Sequence, residues 1–195
     1  MLSVIVTTLF AYPLATELSN VWSGSLVRLV DGMMCELWRT QKTNQGCVRL
    51  PSLEEYLFYA RNSIGLPYVW MTCLIQTNDR SAVPLAPLLL DLAEECGTIM
   101  RLSNDLRSLE SELIEGKISA VQILGQTTPP GAVDLDQGRR AVSNLIDDRL
   151  QVLDGKANLV RTESGLEQRY VRATRFGLAL YEMSDFRTLA KEIAN

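Results

Sequence analysis

Histidine is absent from all 195 residues. That removes Ser-His-Asp and Cys-His nucleophile systems and histidine-ligated zinc from consideration. Cysteine is scarce: Cys35, Cys47, Cys73 and Cys96 are scattered without CxxC spacing, each in or near an apolar stretch. Thiols so placed are expected to be buried and reduced, which suits a cytoplasmic location. A clustered basic face is also missing, and the net charge is −4. A nucleic-acid partner, which needs such a face to hold phosphates, is therefore not expected. No alternating β-run and no internal repeat stand out. The apolar opening MLSVIVTTLFAYPLATELS lacks a basic n-region and a small-residue cleavage site, and its run stops at Pro13. It is too short to span a bilayer and reads as a core segment that expects neighbours.

What the sequence does contain is helical punctuation. Hydrophobic residues make up 47% of the chain, enough for one domain with a core. Leu18, Val21, Trp22, Leu26, Leu29, Val30, Met33, Met34, Leu37 and Trp38 recur at helical spacing over about 15–42. Ser52 and Glu55 form a capping-box pair after Pro51, so a helix starts there. It should end near Gly65, with Pro67 pushing Leu66 out of the α region and a short helix following over about 68–77. After Pro84 and Pro87 one long helix is expected to run to Gly116. TTPPG at 127–131 is a loop. Asp134 and Gln137 cap a helix to about 153, another runs from about Ser164 to Met183, and a short one ends the chain. The class is all-α, a single bundle of six to eight helices.

Three stretches carry chemistry. In NDLRSLESE, residues 104–112, Asn104, Ser108 and Glu112 recur every four residues and share one helix face with Arg101, while Asp105 and Arg107 fall elsewhere. An amide, a hydroxyl and a carboxylate in a row are hard oxygen donors of the kind Mg²⁺ takes. Two readings stay open: a solvated face, the commoner state of polar helix residues, or a polar cavity holding an ion. In ARNSIGLP, residues 60–67, Gly65 and Pro67 break a helix one turn after Arg61, either as a site element or as an ordinary kink. In EQRYVRATRFGLALY, residues 167–181, Arg169, Arg172 and Arg175 make a basic face that could grip a diphosphate or simply be solvated.

Together these stretches resemble the class I terpene synthases. NDLRSLESE fits that family's second metal motif, (N,D)Dxx(S,T)xxxE, at Asn104, Asp105, Ser108 and Glu112. Arg61, Ile64 and Gly65 match the spacing of its diphosphate-sensing arginine, linker and helix-break effector. For its late Arg-Tyr pair, Arg169–Tyr170 matches literally, and Arg175–Phe176 matches in context without the hydroxyl. The resemblance covers about residues 15–185. It departs in three places. An aspartate-rich first motif is absent, Asp147-Asp148 lying on the wrong helix to replace it. The basic residue often found before the final glutamate is Ser111 here. The chain is also much shorter than a full class I domain.

The resemblance implies a helical bundle incomplete at its N-terminus, residues 1–195 forming one partial catalytic domain that lacks the upstream aspartate-rich helix. It implies Mg²⁺ as cofactor, three ions in the complete enzyme, with Asn104, Ser108 and Glu112 as metal ligands. Arg61, Arg169, Tyr170 and Arg175 become the candidate diphosphate contacts, and Arg61 and the carbonyl near Gly65 the candidate catalytic groups. Tyr56, Phe58, Tyr59 and Trp70 are candidates for an aromatic wall around a carbocation, each with core packing as the rival role. The implied reaction is cyclisation of a prenyl diphosphate in a bacterial-type enzyme. C20 is favoured, a labdane-type copalyl diphosphate among the options, with C15 as the alternative. Rival readings are a prenyl-diphosphate synthase, which would need a second DDxxD, and a non-catalytic bundle that pairs as a homodimer.

Overall fold

A computed structural model describes residues 8–45, 49–127 and 132–183. Eight α-helices occur among them: α1 (Ala15–Asn44), α2 (Leu53–Ser63), α3 (Leu66–Thr77), α4 (Ala86–Arg107), α5 (Leu109–Ile114), α6 (Ala120–Leu124), α7 (Leu135–Asn158) and α8 (Leu166–Met183). A 3₁₀ turn over Arg80–Ala82 precedes α4. The only β element among the described residues is a single bridge, Gln126 to Val133. The all-α bundle expected from the periodicity is the fold. No described helix is long and apolar enough to cross a membrane.

The bundle is built around α4, which packs on α2, α3, α7 and α8, while α1 lies across α2 and α3. The reason is in its composition. Leu89, Leu92, Ala93, Cys96, Ile99 and Leu102 are fully buried, and Glu95, Thr98, Arg101, Ser103 and Asp105 are buried as well, so α4 is enclosed over most of its girth. Small residues bring helices close. A β-carbon on Gly97 would stand 2.6 Å from the Arg61 carbonyl oxygen and 3.2 Å from the Pro67 ring. The helix break between α2 and α3 can rest on α4 only because Gly97 has no side chain.

The local signals act as their chemistry dictates. Ser52 and Glu55 close both halves of the capping box, at 3.2 and 2.9 Å. The break falls at Gly65, in the left-handed region at φ 79°, which glycine reaches without the Cβ penalty. Here the sequence-based expectation needs correction, because Leu66 is helical and α3 begins there. Pro67 lies in the first turn of α3, where its missing N–H has no helical partner to lose, so it starts that helix. The long helix expected up to Gly116 is also divided. Ser108, at φ −90° and ψ 2°, separates α4 from α5. Its hydroxyl donates back to the Asn104 carbonyl at 2.6 Å, a bond that bends helices.

A polar joint ties the start of α4 to the start of α8. Asp79 accepts the Ser81 N–H at 2.9 Å and the Ser164 N–H at 2.8 Å, and the Ser81 hydroxyl accepts the Glu163 N–H at 2.9 Å. Burial pushes the Asp79 carboxyl up, but the bonds from Ser164 and Ser81 outweigh it and hold it at about 2.

Of the cysteines, Cys96 is buried, while Cys35 and Cys73 are half-buried, and all three are free thiols. Full burial was expected of each and holds only for Cys96, where burial drives the thiol up to about 12. Cys47 lies outside the described residues, as do residues 1–7 of the opening segment. Leu9 and Leu14, which follow it, are buried in the core.

Candidate metal site on the central helix

The polar stripe is only partly open to water. Arg101 is 6% exposed, Glu112 5% and Asp105 0%. The two ends of the stripe, Arg101 and Glu112, are therefore enclosed, while Asn104 and Ser108 between them are half-buried, so the row is neither a fully solvated face nor a closed one. Three donors of the motif converge. The Asn104 amide NH₂ donates to Ser108 Oγ at 3.1 Å and to Glu112 Oε1 at 3.2 Å. Half a turn of that amide brings Oδ1 to the same point, giving a set of amide, hydroxyl and carboxylate oxygens. The other Glu112 oxygen, Oε2, is buried without a hydrogen-bond partner. A buried acceptor left so costs about 1–3 kcal/mol unless something outside the chain engages it.

Behind this set lies a charge network. Arg101 Nε–H is donated to the Tyr56 hydroxyl at 2.7 Å, and Nη1 to Glu36 Oε1 at 3.0 Å. Asp105 Oδ1 is 2.8 Å from Arg101 Nε, paired by charge but off the N–H axis. Glu112 Oε1 lies 3.8 Å from Nη2, which makes no hydrogen bond of its own. Asp105 Oδ2 accepts two bonds of 2.7 Å, from the Tyr56 hydroxyl and from the Ala120 N–H that opens α6. Asp105 is therefore an anchor joining α2, α4 and α6, turned away from the converging donors.

Three carboxylates surround one guanidinium. Burial alone would disfavour the charge on Arg101, yet Asp105, Tyr56, Glu36 and Glu112 more than offset it and keep the side chain protonated. Burial raises the Asp105 carboxyl above the ordinary aspartate value, against the pull of Arg101. Burial, reinforced by the charge of Asp105, pushes Glu112 up to about 7. The network holds more negative than positive charge, so a cation at the Asn104–Ser108–Glu112 point would relieve it. The residues fit Mg²⁺ in donor chemistry. They supply only one carboxylate, and among the described residues no group of three acidic or cysteine side chains forms a metal cluster.

The other residues named from the sequence are not gathered at this point. Arg61 pairs with Glu94 at 2.9 Å, and Arg28 shares the same carboxylate. Arg61 lines a cavity of about 760 Å³ between α1 and α2, with Arg28, Arg39, Phe58, Tyr59 and Glu94. The Gly65 carbonyl accepts the Val69 N–H at 3.0 Å, the first bond of α3. Arg169 is exposed. Tyr170 is fully buried, stacked on Trp70 at 4.2 Å, with its hydroxyl donated to the Trp70 carbonyl at 2.9 Å. Arg175 is exposed and paired with Asp154 at 2.7 Å. Neither late Arg-aromatic pair meets the motif. The four aromatics offered as one wall are divided too: Tyr56 serves the charge network, Trp70 the core, and Phe58 and Tyr59 the cavity near Arg61.

Two residues of the site were not read from the sequence. Glu36 carries no local signal of its role, since its position opposite Arg101 depends on how α1 crosses the bundle. The hydroxyl of Tyr56 was legible only as part of an aromatic side chain.

The all-α bundle thus brings an amide, a hydroxyl and a carboxylate together across the joint between α4 and α5. The chain belongs to the terpene synthases: residues 10–151 match the model of terpene synthase family 2, C-terminal metal binding. The match takes in the α2–α3 break and the whole of NDLRSLESE, and ends before Arg169, Tyr170 and Arg175. No curated protein matches the chain.

Proposed function

We propose that the chain is the metal- and diphosphate-binding portion of a Mg²⁺-dependent class I terpene synthase that ionises and cyclises a prenyl diphosphate. The observation carrying this reading is the convergence of Asn104, Ser108 and Glu112 beside a buried Glu112 oxygen that has no partner. Those three side chains would hold the metal. When bound, Mg²⁺ supplies positive charge against the diphosphate as it departs. The chain's own residues do the rest. Tyr56, Asp105 and Arg101 fix α4 against α2 and α6, so the donors are held before the ligand arrives. Arg61 would contact the diphosphate, which must displace Glu94 from it. The carbon–oxygen bond breaks with its electron pair leaving on the diphosphate. The allylic cation then closes rings and ends by losing a proton or capturing water.

We favour a C20 substrate, copalyl diphosphate among the candidates, over C15. We place the enzyme in a bacterial-type cytoplasm, to which the free thiols of Cys35, Cys73 and Cys96 are suited. Arg169–Tyr170 and Arg175 remain our second group of diphosphate contacts, and from the positions described above they need a rearrangement of α8 to act. A non-catalytic module is the second reading, favoured by the single carboxylate among the three converging donors.

Calorimetric titration of inorganic diphosphate, with and without Mg²⁺, tests the proposal. Mg²⁺-dependent binding is expected for this chain and its loss in Asn104→Ala/Glu112→Ala. Binding that is indifferent to Mg²⁺, or to the double substitution, sinks the metal assignment. Product analysis with C15 and C20 diphosphates then decides chain length.

A further inference from the structure

Arg101 and Glu112 each carry an unspent bonding atom, and the two side chains meet without joining. Arg101 Nη2 and Glu112 Oε2 are both buried, and neither has a hydrogen-bond partner. Nη2 lies 3.8 Å from Glu112 Oε1, close enough for charge attraction and too far for a hydrogen bond. A turn of the guanidinium towards Glu112 would satisfy both groups, and leaving both unmet is unfavourable. Two bonds hold the guanidinium back. Nε–H is donated to the Tyr56 hydroxyl at 2.7 Å, and Nη1 to Glu36 Oε1 at 3.0 Å. A guanidinium is planar and rigid, so two anchored nitrogens fix where the third one points. Tyr56 and Asp105 both act at Nε, the pivot. Glu36 is the partner that stops rotation about it.

The aim of Glu36 is set by the close approach of α1 to α2. At Gly32 a β-carbon would stand 2.7 Å from the Tyr59 carbonyl oxygen, and Glu36 follows one turn later on the same face. Its side chain is 24% exposed, and its ion pair among the described residues is with Arg101. We infer that Glu36 is a positioning residue of the metal site: by holding Arg101 away from Glu112, it keeps that carboxylate free for the cation. The inference rests on the assignment of Asn104, Ser108 and Glu112 to a metal. Without Glu36 the guanidinium turns onto Glu112, the one carboxylate among the converging donors, and the chain's own cation takes the place of the metal. Glu36 acts through Arg101, so its reach matters as well as its charge.

Mn²⁺, which takes the same hard oxygen donors as Mg²⁺, serves as the probe. The free ion is counted by electron paramagnetic resonance, and Mg²⁺ is added to displace it. Glu36→Gln removes the charge, while Glu36→Asp keeps the charge and draws it back by one methylene. Both variants are expected to bind Mn²⁺ at least about tenfold more weakly than the wild type. Wild-type affinity in Glu36→Asp would show that charge alone counts, and it overturns the inference, as does wild-type affinity in both variants. Urea unfolding in chelator reports the packing contribution of Glu36 separately, and a loss of stability with metal affinity intact overturns it too. Should Glu36→Gln fail to fold, Glu36→Asp decides alone. A wild type that binds no Mn²⁺, or binding that survives Asn104→Ala/Glu112→Ala, removes the metal assignment and this inference with it. Binding that is lost in that double variant and unchanged in both Glu36 variants removes only the role of Glu36.

Discussion

The Tyr56 hydroxyl donates to Asp105 Oδ2 at 2.7 Å and accepts the Arg101 Nε–H at the same distance. One phenol on α2 thus bridges an acid and a base that lie one turn apart on α4. With the Ala120 N–H on the same carboxylate oxygen, three helices meet at a point with almost no access to water. Charge-assisted bonds in such a place are stronger than neutral ones, and losing one leaves a charge underserved.

Tyr56→Phe keeps the ring and deletes the bridge. A hydrogen bond to a charged group contributes about 1.5–3 kcal/mol, so the variant should lose about 2 kcal/mol. That corresponds to a fall in melting temperature of about 4–8 °C for a domain of this size. Urea unfolding measures it, and a loss under about 0.5 kcal/mol would show that the bridge is not the joint described.

Glu112 makes the stability of the metal-free chain depend on pH. Its carboxyl is raised from an ordinary 4.5 to about 7, so the folded state favours the protonated form. The stability this adds is fully present below 4.5 and is lost as pH climbs through 7. In chelator, wild type should unfold at lower urea at about pH 8 than at about pH 5, by a margin that Glu112→Gln largely removes. An equal pH response in the two proteins would refute the assignment.

Gly97 and Gly24 should respond oppositely to alanine. At Gly97 the new methyl meets the Arg61 carbonyl oxygen at 2.6 Å, while at Gly24 nothing lies within 4 Å. Gly97→Ala should cost about 1–3 kcal/mol, through overpacking of the α2–α3 break on α4. Gly24→Ala should add about 0.5–1 kcal/mol, because it only restrains the unfolded chain and favours helix. Thermal unfolding of both variants decides, and a stabilised Gly97→Ala would mean that the break is free to move.

The fold was legible where the chemistry is local. The capping box at Ser52 and Glu55, the cap from Asp134 to the Gln137 N–H at 2.9 Å, and the break at Gly65 each depend on residues within one turn of themselves. Boundaries were less so. The helix α7 runs on to Asn158 past the expected end near 153, and the five-residue α6 has too little periodicity to be seen. At the site, spacing identified the row of Asn104, Ser108 and Glu112 and could not say which way it faces. That depends on α2 and α6, which reach α4 through Tyr56 and the Ala120 N–H, outside the motif itself. Asp105 shows the limit most clearly: helical spacing placed it off the donor row, and only the tertiary partners Tyr56 and Ala120 reveal it as an anchor.

The bond between Asp79 and the Ser164 N–H joins positions 85 residues apart. Closing a loop of that length is unfavourable until the helices between have docked, so the joint is expected to form late in folding. Interactions absent from the folding transition state leave the folding rate almost unchanged and act on the rate of unfolding. Asp79 is on that account expected to act as a brake on the opening of the domain: Asp79→Ala should speed unfolding and leave the folding rate almost unchanged, which stopped-flow measurement checks.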